Sequence, residues 1–273
     1  MTIKQCIMTL SRCYRETTSD PKVGIIVHST GCNNTSLKRF VQPSEDDPFY
    51  DEIIADIGKN VNRNDWNHTD VAKGVHAFIG RNKAGVVEVY QVLPYEKNAW
   101  GVAAGKNGSV NYGDYACIQF EVEEDALKNE AYFNEAMTAA IGYCAELCHE
   151  FDWTEECIMS HKEAIAKGYG SGTRVDIDYW LGKFGKNMGW FRQQVHELLN
   201  QPIEPEKPAL AVGDIVSLSP NATVWGKTTR FAKWVYSSKL YVRKIVGDKV
   251  TISIFKTGLT TGSTDIKYLT KVE

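Results

Sequence analysis

The sequence predicts an α/β domain of about 200 residues followed by a small all-β module. Three stretches carry that expectation. Residues 23–30, VGIIVHST, are a short apolar run closed by Pro21 upstream and by Gly31-Cys32-Asn33-Asn34 downstream, which is the pattern of a buried strand. Residues 124–151 place Phe133, Met137, Ile141, Cys144 and Cys148 on one stripe at helical spacing, the longest helix in the chain. Beyond QPIEPEKP at 201–208, short alternating segments separated by Gly-Asp and Thr-Gly turns read as strands alone.

Residues 3–14 have apolar positions that suit either period and receive no assignment. Asp47-Pro48 then supplies a cap and a first-turn proline for a helix through Phe49, Ile53, Ile54 and Ile57. Residues 59–70 are polar, with Trp66 and His68 among them, and read as a loop. Residues 75–79, a turn at 82–85 and residues 86–92 make a hairpin, and 115–122 is a further strand. After the long helix, Cys157-Ile158-Met159 forms a short strand that delivers His161, as residues 25–27 deliver His28. Asn187 caps a last helix through Met188, Phe191, Val195 and Leu198, with His196 on its outer face. Three prolines and no aromatic residue make 201–208 a stiff linker. Residues 212–218, 240–246, 249–255 and 267–272 are the strands of a small SH3-like barrel. The expected domains are therefore 1–200 and 209–273.

Charge divides at the same place. Residues 209–273 hold ten Lys or Arg against four Asp or Glu, a balance of +6, which leaves −9 for residues 1–208 out of the overall −3. A basic tail behind an acidic body suggests a polyanionic partner for the tail, although solvated lysines on a small barrel give the same count. No motif for nucleic acid is present. A hydrophobic content of 43% with 11% aromatics suffices for a packed core. No signal peptide and no membrane span are read, and seven cysteines without a framework suit reduced thiols. Cys144 and Cys148 read as core on their apolar stripe rather than as metal ligands.

Two strands that each end in a histidine suggest a metal. A catalytic zinc needs three protein ligands and an open position, which two imidazoles and one carboxylate satisfy. His28 and His161 supply the imidazoles. In the glycine-rich segment 168–178, GYGSGTRVDID, Asp176 and Asp178 are the donors of the right charge.

The succession GIIVHST, VHAFIGRNKAGVVEVYQVLP with Ala99-Trp100, CIQFEV, and CIMSHKEA with an Asp-containing loop resembles the zinc-dependent N-acetylmuramoyl-L-alanine amidases. More narrowly it is similar to the amidase-2 family, related to peptidoglycan recognition proteins and found in phage and prophage endolysins. The resemblance covers roughly residues 1–200. It implies a mixed central sheet flanked by helices, with His28, His161 and Asp176 as ligands of Zn2+ and Asp178 as the rival third ligand. It also implies Glu121 as the group that moves protons and Arg174 as the cation that holds an oxyanion. His76, opening a strand, is a candidate for substrate contact or simple packing; Trp100 is a candidate wall for a sugar or peptide stem. His68 and Trp66 suit either a saccharide groove or a loop anchor.

The sequence departs from the family's pattern at four places. Arg174 stands where relatives often have Lys, Ile177 where many have Pro, Val75 where some have Tyr, and Gly101 where a His often follows the tryptophan. The tail resembles SH3-like modules of such endolysins, and its basic charge with Trp225, Trp234, Tyr236 and Tyr241 suits an anionic, sugar-rich wall. The implied activity is hydrolysis of the amide between N-acetylmuramic acid and L-alanine in bacterial peptidoglycan. The implied location is the cytoplasm of a host bacterium, with action on the wall after release. A peptidoglycan-binding protein without catalysis and a zinc endopeptidase cutting within the stem peptide are the alternatives.

Overall fold

Strand β5 (Ile118–Glu124) sets the architecture, because its side chains alternate between two chemistries. Ile118, Phe120 and Val122 point to one face of the sheet, while Gln119, Glu121 and Glu123 point to the other. The computed structural model describes residues 2–201 and 210–272, so all of the expected linker except Gln201 lies outside the described residues. The chain divides into two compact units, Met1–Gln201 and Pro202–Glu273.

Among the described residues of the first unit, six strands form a mixed sheet. They are β1 (Ile3–Gln5), β2 (Ile25–Asn33), β3 (Ala77–Arg81), β4 (Val87–Gln91), β5 and β6 (Ile158–Ser160), in the order β1-β4-β3-β5-β2-β6. Every neighbouring pair is parallel except the β3–β4 hairpin. Helices α3 (Glu130–Phe151), α5 (Asp176–Lys183) and α6 (Met188–Leu199) cover the apolar face. There Tyr132, Phe133, Met137, Tyr143, Trp180 and Phe191 pack on Ile25, Val27, Ile79 and Phe120, all buried. Each large side chain so enclosed contributes roughly 1.5–3 kcal/mol, and this face is the main source of cohesion in the unit. Cys144 and Cys148 belong to it, and all seven cysteines are free thiols.

The opposite face is covered in patches. Helix α2 (Tyr50–Ile57) and the segment around Phe40 pack Ile53, Ile57, Leu37, Phe40 and Trp66 on Phe78 and Tyr90. A second patch joins Ile26 to Val102, Val110 and Ala164. The same face carries His28, Gln119 and Glu121.

Several boundaries differ from the sequence reading, each for a local reason. Strand β2 does not stop at the histidine but continues to Asn33, with a register slip against β5 between Ser29 and Asn33. The long helix begins at Glu130 rather than residue 124, because Glu124 still pairs in the sheet with Asn33. Ala126 and Leu127 then turn the chain through positive φ before Asn129 caps the helix. The unassigned lead-in forms β1 and helix α1 (Arg12–Glu16). His161 is the first residue of helix α4 (His161–Ala166), whose Ser160 and Glu163 form a reciprocal capping box.

The second unit is an antiparallel sheet of β7 (Ile215–Leu218), β8 (Leu240–Val246), β9 (Lys249–Ser253), β10 (Gly262–Asp265) and β11 (Leu269–Lys271), ordered β10-β9-β8-β7-β11. Aliphatics fill its core, among them Val216, Leu240, Val242, Val250 and Ile252. Tyr236 packs against them and donates its hydroxyl to the Ala222 carbonyl, while Trp225 and Trp234 stay exposed. Strand β10 is polar, GSTD, and carries no apolar alternation that periodicity detects.

The Ser160 cap holds the helix that starts at His161, so Ser160→Ala should cost about 1 kcal/mol of first-unit stability. Urea unfolding of the variant beside the parent measures it, and an unchanged midpoint would show the cap to be idle.

Candidate metal centre

Parallel pairing of β2 with β6 aligns Val27 with Ser160, so the residue that follows each of them is a histidine. His28 and His161 consequently emerge side by side, ring centroids 4.9 Å apart and planes at 80°. The third member comes from α5, which is held in the core by Ile177, Trp180 and Leu181 and presents its first residue, Asp176, to both rings. His161 Nδ1 donates to Asp176 Oδ2 at 2.7 Å, and His28 Nδ1 lies 3.3 Å from the same oxygen. Asp176 takes φ +24°, a region L-residues seldom occupy and Asp tolerates better than most.

One ligand atom from each of the three residues lies within 4.8 Å of the other two. Two imidazoles and a carboxylate are a set that zinc and similar divalent ions accept, with ligand distances near 2.0–2.2 Å. His161 Nε2 is buried without a hydrogen-bond partner. The donors therefore fit a metal ion. Asp178, the rival, is not part of the cluster: it is half-buried and turned toward Ser160, its carboxyl pushed up by burial.

Burial holds the imidazole of His28 below its ordinary pKa despite the hydrogen-bond contact with Asp176. For Asp176, burial alone would raise the pKa, but the imidazoles of His161 and His28 set against its carboxylate outweigh it and keep it well below its usual range. Glu121 behaves in the opposite way. It is the direct cross-strand partner of His28 on β5, and its Oε2 is sealed from solvent with no partner. Burial, then the charges of Asp176 and Glu124, push it well above the ordinary carboxylate value; Lys73 and Arg174 pull the other way. Arg174, two residues before Asp176 and exposed, thus acts on Glu121 from the rim.

His76 requires correction as a substrate contact. It is completely buried, its Nε2 donating to the Lys97 carbonyl at 2.9 Å and its Nδ1 accepting from the Gln119 backbone N–H at 3.0 Å. Both ring nitrogens are committed to backbone, so nothing remains for a ligand. Trp66 is buried between Phe40 and Phe78, and His68 pairs with Asp65 at 3.0 Å, so both anchor the loop rather than line a groove. Trp100 is half-buried with the Arg12 guanidinium 5.5 Å from its ring. Its neighbour Gly101 lies against the site, where a Cβ would come within 2.2 Å of Gln119 Oε1 and 3.2 Å of His28 Nε2.

Two residues of the surround escaped the sequence reading. Gln119 accepts at 3.2 Å from His28 Nε2, and its signal was available: it stands two residues before Glu121, hence on the same strand face. Lys73, with its ammonium 4.5 Å from the Trp66 ring, acts electrostatically on Glu121 and has no sequence signal in its polar loop.

A profile of the N-acetylmuramoyl-L-alanine amidase family matches residues 18–176. Among solved structures, a Staphylococcus aureus hydrolase, AmiA, in complex with its ligand is similar at 15% identity over 73% of this chain and 83% of that one, with a TM-score of 0.47. A mutant endolysin from Bacillus subtilis is similar at 19% identity over 71% and 99%, also at 0.47. AmpD of Citrobacter freundii is similar at 14% identity over 74% and 94%, at 0.38. No curated protein sequence matches at a significant level.

Because the folded pKa of Glu121 lies above its unfolded one, this group contributes stability below the ordinary carboxylate value of 4.5 and loses it as pH rises through the raised value. In metal-free protein, Glu121→Gln should therefore melt higher than the parent at pH 8, and the two should converge as pH falls toward about 4.5. Melting curves across that range check this; parallel curves at every pH would contradict it.

Proposed function

The chain belongs to the N-acetylmuramoyl-L-alanine amidase family, and from that membership we propose a zinc-dependent enzyme that cleaves the amide between the lactyl group of N-acetylmuramic acid and the L-alanine of the stem peptide. The observation that supports this reading best is the convergence of His28, His161 and Asp176 beside a carboxyl group of raised pKa. These three residues would hold zinc, which supplies a water of lowered pKa and an electrophile for the carbonyl oxygen.

The rest of the chemistry falls to the chain's own groups. Glu121 takes a proton from the attacking water at its carboxylate and later returns it to the departing amine nitrogen of alanine. Burial raises its pKa, and a cation beside Asp176 would offset part of that rise, which leaves a stronger base than an ordinary carboxylate that can still give its proton back. Arg174 offers a guanidinium at the rim to the oxyanion of the tetrahedral intermediate. Trp100, half-buried beside the site, gives the saccharide or peptide stem an apolar wall.

The second unit fits a targeting role. Its balance of +6 and the exposed Trp225 and Trp234 suit an SH3-like module that docks on an anionic, sugar-rich wall. Tethering there raises the local concentration of the catalytic unit at an insoluble substrate. The whole then works as an endolysin, made in the cytoplasm of a host bacterium and acting on the wall after release.

Digestion of purified wall should release new N-terminal alanine and separate intact glycan from intact stem peptide, with loss on chelation and recovery on adding zinc. Mass spectra showing cuts inside the stem would indicate an endopeptidase, and no products at all a binding protein. His161→Ala and Asp176→Asn should lose bound metal, whereas Asp178→Asn should keep it; Glu121→Gln should keep metal and lose about 10²–10⁴-fold in turnover.

Removing residues 209–273 should slow lysis of whole cells more than turnover of a soluble muropeptide. Equal losses in the two assays would remove the targeting role.

A further inference from the structure

We propose that Gln119 is a positioning residue that fixes the proton of His28 on Nε2, and that Asn111 and Gly101 hold Gln119 in the one orientation that does so. Gln119 is fully buried. Its side-chain oxygen faces His28 Nε2 at 3.2 Å, and its Nε2 faces the Val110 carbonyl at 3.2 Å and Asn111 Oδ1 at 2.9 Å. The polarity of that chain is set by backbone groups whose roles cannot change. Asn111 Nδ2 donates to the Val102 carbonyl at 2.6 Å, while Asn111 Oδ1 accepts from the Val102 N–H at 3.2 Å, which settles how the Asn111 amide points.

With Asn111 fixed, Gln119 must turn its NH₂ toward Asn111 and Val110, where both partners are acceptors. Its oxygen is left for His28, and an oxygen there requires N–H on His28 Nε2. The lone pair of His28 then lies on Nδ1, facing Asp176 Oδ2 at 3.3 Å. Two electron-rich atoms pointed at each other without a proton between them are what a divalent cation resolves. The backbone of Gln119 is held as well, since its N–H donates to His76 Nδ1 at 3.0 Å.

Gly101 completes the device by leaving room. A Cβ at that position would lie 2.2 Å from Gln119 Oε1, so any side chain there displaces the acceptor from His28. A glycine after Trp100 and a glutamine at 119 are thus two parts of one arrangement. The consequence for metal affinity rests on the zinc reading above; the placement of the proton does not.

The test begins with the metal-free full chain at pH 8, where long-range proton–nitrogen correlation spectra of the histidine rings report which nitrogen carries hydrogen. A proton on His28 Nε2 is expected, and a proton on Nδ1 overturns the proposal without any variant. Zinc affinity is then measured by competition with a chelator. Gln119→Leu should weaken binding roughly 10–100-fold, and Gly101→Ala should move in the same direction as Gln119→Leu although it removes no polar group. Unchanged affinity in folded Gln119→Leu overturns the proposal. If the parent binds no zinc yet carries the Nε2 proton, the metal reading falls and the positioning role of Gln119 stands.

Discussion

The site depends on one register. In a parallel pair a single alignment decides which residues leave the two strands together, and Val27 against Ser160 makes those residues His28 and His161. A shift of one residue along β6 would turn a side chain of opposite facing toward His28, since strand side chains alternate. The register is held from both faces of the sheet: Ile25, Val27 and Ile158 are buried under the helices, and Ile26 is enclosed on the other side. Close approach holds it too, because a Cβ on Gly24 would lie 2.6 Å from the Cys157 carbonyl. Core packing and the placement of the two histidines are therefore set by the same few residues.

The polar face of β5 weakens the unit that displays it. Glu123 is wholly buried with both carboxylate oxygens unpartnered, and burial drives its pKa well up, with Arg39 only partly opposing. Glu121 adds a second uncompensated carboxyl two residues away. Such groups cost free energy wherever they ionise. The helices on the other face offset this, and the alternation of β5 lets one strand serve both ends, with Phe120 in the core and Gln119 and Glu121 in the site.

Much of this was legible in the sequence. Strands β2 and β6 announced themselves as short apolar runs ending in histidine, and α3 as a stripe, because burial on one face imposes a period. The segment 168–178 read as an Asp-containing loop and α5 went unassigned, because Ile177, Trp180 and Leu181, although at helical spacing, are too few in an eight-residue helix to declare a period. Strand β10 was hidden for a related reason: GSTD pairs through backbone and buries little. The histidines show the deeper difficulty. His28 lies in β2 and His76 directly before β3, and both are buried, yet one faces Asp176 and the other is consumed by the backbone of Gln119 and Lys97. Sequence gives residue type and strand face, whereas hydrogen-bond partners come from segments far along the chain whose path only three dimensions reveal.

The two site carboxyls share an environment and are driven apart within it. The two imidazoles beside Asp176 hold it below its usual range despite burial, and its charge is then the foremost electrostatic influence, after burial, that raises Glu121. The same interaction lowers one carboxyl and raises the other, the division that the proposed roles of ligand and proton carrier need. A divalent cation drawn to Asp176 would neutralise the charge that raises Glu121 and add attraction for its ionised form. In the proposed enzyme, loading the site and arming Glu121 as a base are then one event, and Arg174 and Lys73, which already oppose the raised pKa of Glu121, push in the direction that a bound cation would complete.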